Sequence, residues 1–241
     1  MSSHSRRMRR RRSILLFIGG TILLGLLAGA MPRLIEESPP LEITFPWQDT
    51  SQSNQPIQAG SALEALQTLE VKGRAPKTGY ERSQFGSGWG IVNGCDTRDI
   101  ILYRDLTNTT LSDECTVASG ILNDTYTGTT IEYSKSDSSK VQIDHVIALS
   151  NAWQTGAQQL SVKQRQQLAN DPLELIAVSG KANQQKSDGD AATWLPSNKS
   201  FRCEYIARQI AVKQKYSLWV TPPEEEAMKN VLQACPNQPL L

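Results

Sequence analysis

Apolar positions recur at helical spacing in Ser61-Ala62-Leu63-Glu64-Ala65-Leu66-Gln67-Thr68-Leu69, which predicts a short helix. Ile100-Ile101-Leu102-Tyr103 and Thr130-Ile131-Glu132-Tyr133 are β-branched and aromatic, and predict short strands. Val141 to Leu149 alternates more strongly and predicts a longer one. A helix over Ser161 to Ala169, capped by Ser161, is expected before a strand over Leu173–Val178. The polar turn around Asn183 opens a predicted helix reaching to about Trp194. Lys199 to Tyr216 carries Phe201, Tyr205, Ile206, Ile210 and Ala211 on one face, as an amphipathic helix does. Thr221-Pro222-Pro223-Glu224 combines a cap, proline in the first turn and a capping-box Glu, with Glu225 and Glu226 at the positive pole. The pattern is that of an α+β fold without internal repeats.

Ahead of these elements, Ser13 to Met31 is an uncharged apolar run behind Arg6, Arg7, Arg9, Arg10, Arg11 and Arg12. Its length suits a bilayer-crossing helix, and the arginines orient it with the remaining chain outside the cytoplasm. It reads either as a signal peptide cut near Ala28-Gly29-Ala30 or as a retained membrane anchor. The expected organisation is residues 1–31 as basic N-terminus plus signal or transmembrane helix, 32–70 as a linker with a short helix, and 71–241 as the catalytic domain. The net charge of +1 owes its sign to that arginine cluster. The remainder is mildly acidic, so any polyanion must be met by a local basic patch. Four cysteines without a C-x-x-C pair, in an exported chain, favour disulfides over a zinc site. Of three possible pairings, Cys95–Cys115 and Cys203–Cys235 close local loops, each bridge contributing about 2–4 kcal/mol.

From Gly19 to the C-terminus the chain has one histidine, His145, within Val141-Gln142-Ile143-Asp144-His145-Val146. Hydrolysis of a phosphodiester needs a base for the attacking water and a cation for the developing charge. An imidazole near neutrality supplies the first, and a hard divalent ion sharing its shell with phosphate the second. Asp144 and His145 are neighbours, so on a regular strand they point to opposite faces. A strand end or twist there lets both flank one phosphate. Asn183 could bring an amide oxygen to the same ion, and Lys186, one turn on, could reach a phosphate.

The order strand, Asp-His, long connection, strand, Asn-x-x-Lys helix resembles the ββα-metal (His-Me finger) core of HNH endonucleases. More narrowly, the chain is similar to exported bacterial HNH-like proteins with a DUF1524-type domain. The resemblance spans about Gly79 to Cys235. It includes Gly94-Cys95-Asp96-Thr97-Arg98, Arg104-Asp105, Asp124-Thr125-Tyr126-Thr127-Gly128, Ala152-Trp153, Ala169-Asn170-Asp171-Pro172, Asn183-Gln184-Gln185-Lys186 and Trp194-Leu195-Pro196. It implies an extracytoplasmic endonuclease with His145 as general base and one Mg²⁺ or Mn²⁺ on Asp144 and Asn183. Lys186 falls on a family lysine. The substrate implied is DNA, and possible RNA, cut with low sequence specificity to 5′-phosphate and 3′-hydroxyl ends, with binding that weakens steeply in salt.

There are departures from the family pattern. Glu174 stands where the middle Asn belongs, with Asn170 close by as a substitute. Ala148 and Thr125 stand where relatives often carry Pro. Arg98 and Arg104 are candidate fork donors to phosphate, or members of an ion-pair network with Asp96 and Asp105. Trp89, Trp153 and Trp194 read as core or pocket wall before base-stacking platforms. Lys135, Lys140, Lys181, Lys186 and Lys199 form a weak candidate groove. Two other classes compete: a non-catalytic nucleic-acid-binding domain retaining the HNH scaffold, and an envelope hydrolase. For the second, glycan chemistry would want two facing carboxylates, which no motif here suggests.

Overall fold

In the computed structural model, which describes residues 60–241, the chain opens with α1 (Ala62–Leu66). Ser61 Oγ accepts the Glu64 N–H at 3.2 Å, and the Glu64 carboxylate accepts the Ser61 N–H at 3.0 Å. The expected signal or anchor segment lies outside the described residues, as does the linker to residue 59. No helix among the described residues is long and apolar enough to cross a membrane.

A tight hairpin follows, β1 (Ile91–Val92) and β2 (Cys95–Asp96), turned by Asn93 at φ 51° and Gly94 at φ 86°. Both signs are positive, as a two-residue primed turn requires, and Asn-Gly is the dipeptide that adopts it best. Next come α2 (Thr97–Asp105), β3 (Leu106–Leu111), β4 (Val117–Asn123) and β5 (Thr130–Ser134). The three strands form one antiparallel sheet in the order β3-β4-β5. Only β5 matches a strand expected from the sequence. Ile100–Tyr103, read as a strand, is the middle of α2, because Asp96 caps the helix by accepting the Asp99 N–H at 2.7 Å. A short apolar run has no period of its own, so the cap decides.

The chain then forms β6 (Val141–His145), α3 (Leu149–Gln154), α4 (Val162–Ala169), β7 (Leu175–Ser179), α5 (Gly180–Lys186), α6 (Arg202–Lys215) and α7 (Pro222–Leu232). Ser161 caps α4 and Thr221 caps α7, both through capping boxes, as the sequence indicates. Two expectations are corrected. The strand over Val141–Leu149 stops at His145, where Val146 to Ala148 lead into α3. The helix expected from Asn183 to Trp194 starts earlier, at Gly180 behind the Ser179 cap, and ends at Lys186, where Ser187 takes φ 52°. Gly180 is required there, since a Cβ would collide with the Ser139 carbonyl oxygen.

Strands β6 and β7 pair antiparallel, Val141 opposite Ser179 and His145 opposite Leu175, and α5 follows β7 directly. This strand pair and helix lie between two apolar clusters. Val141, Ile143, Leu175 and Ala177 pack with Ile101 and Leu102 of α2. Ile176 and Val178, on the other face, pack with the cluster of Tyr205, Ile206 and Ile210 from α6. The outer edge of β7 is closed by side chains in place of a third strand. Arg104 Nη2 donates to the Leu175 carbonyl at 2.7 Å, and the Ala177 N–H donates to Asp105 Oδ2 at 2.7 Å. Such an unpaired edge invites aggregation unless covered.

The two disulfides are Cys95–Cys115, joining β2 to the connection before β4, and Cys203–Cys235, joining α6 to the C-terminal end. A buried ion pair, Lys213 to Glu224 at 3.0 Å, also ties α6 to α7.

Candidate active site

Asp144 faces the side of the hairpin on which α5 and α6 pack, and it is buried. Tyr126 donates its hydroxyl to Asp144 Oδ2 at 2.5 Å, and Lys186 Nζ donates to Oδ1 at 3.0 Å and to the His145 carbonyl at 2.7 Å. Burial raises the Asp144 pKa, against the pull of the Lys186 cation and the Tyr126 hydroxyl. Burial and the adjacent carboxylate push the Tyr126 phenol well up, so it stays a donor. Tyr126 is held by the turn Asp124–Gly128, where Asp124 accepts the N–H groups of Tyr126 and Thr127, and also that of Ser179 at the end of β7.

His145 is the last residue of β6 and belongs to the opposite face. Its side chain is 6% exposed. A carbonyl can only accept, so His145 Nε2 carries the proton it donates to Ala169 O at 3.0 Å, leaving Nδ1 bare. The ring lies parallel to Trp89, centroids 5.7 Å apart and planes 4° apart. Trp89 is held in turn by the Gly90 N–H, which donates to Asn170 Oδ1 at 2.6 Å, next to the carbonyl that fixes the imidazole. Asn170 therefore supports the histidine through its neighbours.

Glu174 is fully buried and both of its oxygens accept the Ile147 N–H at 3.2 Å, while its carbonyl accepts the Val146 N–H at 2.9 Å. Burial pushes its carboxyl well above the usual range. It braces the chain immediately after the Asp-His pair.

Burial lowers the His145 pKa from 6.5 to about 3, with Arg82 and Lys186 adding to the effect and the Ala169 carbonyl opposing it. The imidazole is thus neutral at physiological pH. An unfolded chain binds a proton below pH 6.5 that the folded chain refuses until about pH 3, so this residue costs stability as pH falls through that window. Between pH 7 and pH 5 the wild type should lose about 2 kcal/mol relative to His145→Gln. Urea titrations of both proteins at each pH measure it, and parallel curves would refute it.

One cavity of about 920 Å³ runs along this end of the hairpin, lined by Asp144, His145 and Asn183 together with Trp89, Arg82 and Arg98. Asn183 Nδ2 donates to Gln142 Oε1 at 3.0 Å, which leaves the amide oxygen as the acceptor for a cation. Among the described residues no group of three or more His, Cys, Asp and Glu side chains forms a metal cage. Asp144 and Asn183 both line the cavity; each Asp144 oxygen already accepts one hydrogen bond, from Tyr126 or Lys186, so an ion there would use their remaining lone pairs together with the Asn183 amide oxygen. That donor set fits an ion such as Mg²⁺, which keeps most of its shell for water and phosphate.

Several expected contacts lie elsewhere. Lys186 is fully buried, bonded to Asp144 and the His145 carbonyl, so it neutralises the carboxylate and is not poised on a surface for phosphate. Arg104 is spent on Asp105 and the Pro172 and Leu175 carbonyls, closing the sheet edge. Asp96 caps α2, so only Arg98 of that quartet reaches the cavity. Trp153 belongs to the core, and Trp194 packs on Tyr126 at 4.9 Å. Lys135, Lys140, Lys181 and Lys199 do not line the cavity. The sequence reading passed over Arg82 and the role of Tyr126. The Asp124–Gly128 motif was a signal for the tyrosine, whereas nothing local marks Arg82.

A model of the family described as "GmrSD restriction endonucleases, C-terminal domain" matches residues 96–231, which include the hairpin, α5 and the cavity residues from Arg98 onward, while Lys77, Tyr80, Arg82 and Trp89 precede the match. The chain belongs to this family. It is also 38% identical over 179 residues to an uncharacterized secreted protein of Arthroderma benhamiae, covering 73% of this chain and 86% of the relative. That relative is fungal, so the family reaches beyond the bacterial setting expected from the sequence. No solved structure matches. In this GmrSD C-terminal domain, the Asp-His pair, Asn183 and the bracing Glu174 all fall inside the matched segment.

Proposed function

We propose that this GmrSD C-terminal-type domain is an HNH-type, metal-dependent endonuclease that hydrolyses DNA, and RNA by the same chemistry, outside the cytoplasm and with low sequence specificity. The observation that carries the reading is the placement of His145, Asp144 and Asn183 along one cavity, with the imidazole proton on Nε2 and Nδ1 left to accept. His145 Nδ1 accepts a proton from water as its oxygen attacks phosphorus. The P–O3′ bond breaks, leaving a 5′-phosphate and a 3′ oxygen that takes up a proton. The Ala169 carbonyl holds the tautomer throughout, and Trp89 keeps the ring from turning. Asp144 and Asn183 would hold one Mg²⁺ or Mn²⁺, which supplies charge neutralisation at the phosphoryl and leaving oxygens. Lys186 and Tyr126 orient Asp144 and oppose the effect of burial on its carboxyl.

Export is supported by the two disulfides, by the apolar run behind the arginine cluster, and by the naming of the fungal relative as a secreted protein. Plasmid incubated with the full chain should be nicked in the presence of Mg²⁺ or Mn²⁺ and left intact with excess EDTA. Nicking that continues undiminished in EDTA would overturn the metal-dependent reading, and intact plasmid in both would overturn the nuclease.

A further inference from the structure

Three cations line the cavity, Lys77, Arg82 and Arg98. Lys77 is engaged with Asp188 at 3.4 Å. Among the described residues, neither Arg82 nor Arg98 has a carboxylate partner within ion-pair distance. Arg82 begins the short turn Arg82–Phe85 and lines the main cavity together with His145. It also borders, with Trp89 and His145, a smaller adjoining cavity of about 170 Å³.

Arg98 sits in the first turn of α2, at the positive pole, where a cation is disfavoured. Its guanidinium stands 6.0 Å from the centroid of the buried Tyr133 ring, with both terminal nitrogens 3.5 Å from the phenol oxygen. A neutral phenol positions that charge without cancelling it. Gln142, Asn183 and Gln184 add polar, uncharged groups to the lining, and its Asp188 carboxylate is paired with Lys77. Two guanidiniums without an ion-pair partner, Arg98 having only the through-space influence of Asp99, suit fork-like bonding to phosphate.

We infer that Arg82 and Arg98 are the substrate-binding cations of this site, Arg82 taking the phosphate nearest His145 and Arg98 a neighbouring one. The electrostatic footprint is therefore short, about two phosphates of one strand. The inference rests on the nuclease reading. Beyond the first twelve residues the chain is mildly acidic, so overall charge cannot hold the polyanion in their place.

The test is fluorescence anisotropy of a labelled single-stranded oligodeoxynucleotide with the full chain, in EDTA so that binding is read without cleavage, over a range of salt. Arg82→Gln and Arg98→Gln should each weaken binding by about tenfold. Each should also lower the slope of log affinity against log salt by about 0.7. Lys163→Gln, an exposed lysine of α4 away from the cavity, should change neither. Differences from wild type cancel the constant contribution of Arg6 to Arg12. Arg98→Lys keeps the charge and should keep the slope, which separates lost charge from damage to α2. Wild-type affinity and slope in both Gln variants would overturn the clamp. Nicking of plasmid by the wild type in Mg²⁺ judges the nuclease reading separately.

Discussion

His145→Ala should lower the rate of metal-dependent plasmid nicking by about 10²- to 10⁴-fold, the usual contribution of a positioned general base. The expectation is this large because no second imidazole is available among the described residues; the other histidine is His4. The carboxylates nearby cannot take over. Asp144 is bonded to Tyr126 and Lys186, and Glu174 is held by the Ile147 N–H. Removing the ring also takes away the bond to Ala169 and the stack on Trp89, so the variant needs a thermal melt alongside the rate. Added imidazole should restore part of the activity by entering the space left behind. A folded His145→Ala protein that nicks at the wild-type rate would remove the imidazole from the mechanism.

Lys186→Met should destabilise the fold by about 3–5 kcal/mol, because it strands a buried carboxylate without its counter-charge. Asp144 would keep only the Tyr126 hydroxyl and would shift further toward its protonated form. The penalty should accordingly shrink as pH falls and Asp144 takes up a proton. Asp144→Asn in the same chain should recover much of the loss, since a neutral amide no longer needs the ammonium. Urea unfolding of the wild type, both single variants and the double variant gives the coupling directly. A loss below about 1 kcal/mol in Lys186→Met would mean that the ion pair is not what holds this lysine inside.

The capped helices were legible because their signals are local. Ser61, Ser161 and Thr221 each start a helix with a partner three residues on. The Asp-His pair and Asn183 were legible as chemistry, and the structure brings them onto one cavity. What the sequence withheld was mostly decided at a distance. Ile100–Tyr103 looks extended until Asp96 caps it, and β3, reading Leu-Thr-Asn-Thr-Thr-Leu, is too polar to announce itself before β4 pairs with it. Lys186 shares the helix spacing of an exposed residue, yet the carboxylate it neutralises lies 42 positions away. Arg104 and Asp105 read as an ion-pair network, with Arg104 alternatively a phosphate donor; they do pair with each other, but their further partners are backbone groups of a strand 71 and 72 residues further along. Arg82 carries no motif, and only its place beside His145 gives it a meaning.

The Cys95–Cys115 bridge anchors the segment that leads into α2, one helical turn before Arg98 and close to the Gly90 carbonyl that Thr97 holds at 2.9 Å. Without this bridge and the one at Cys203–Cys235 the fold would lose about 2–4 kcal/mol for each, a large share of a domain's usual margin. Under the proposed reading, the domain would reach its full stability only in a compartment where both bridges can form.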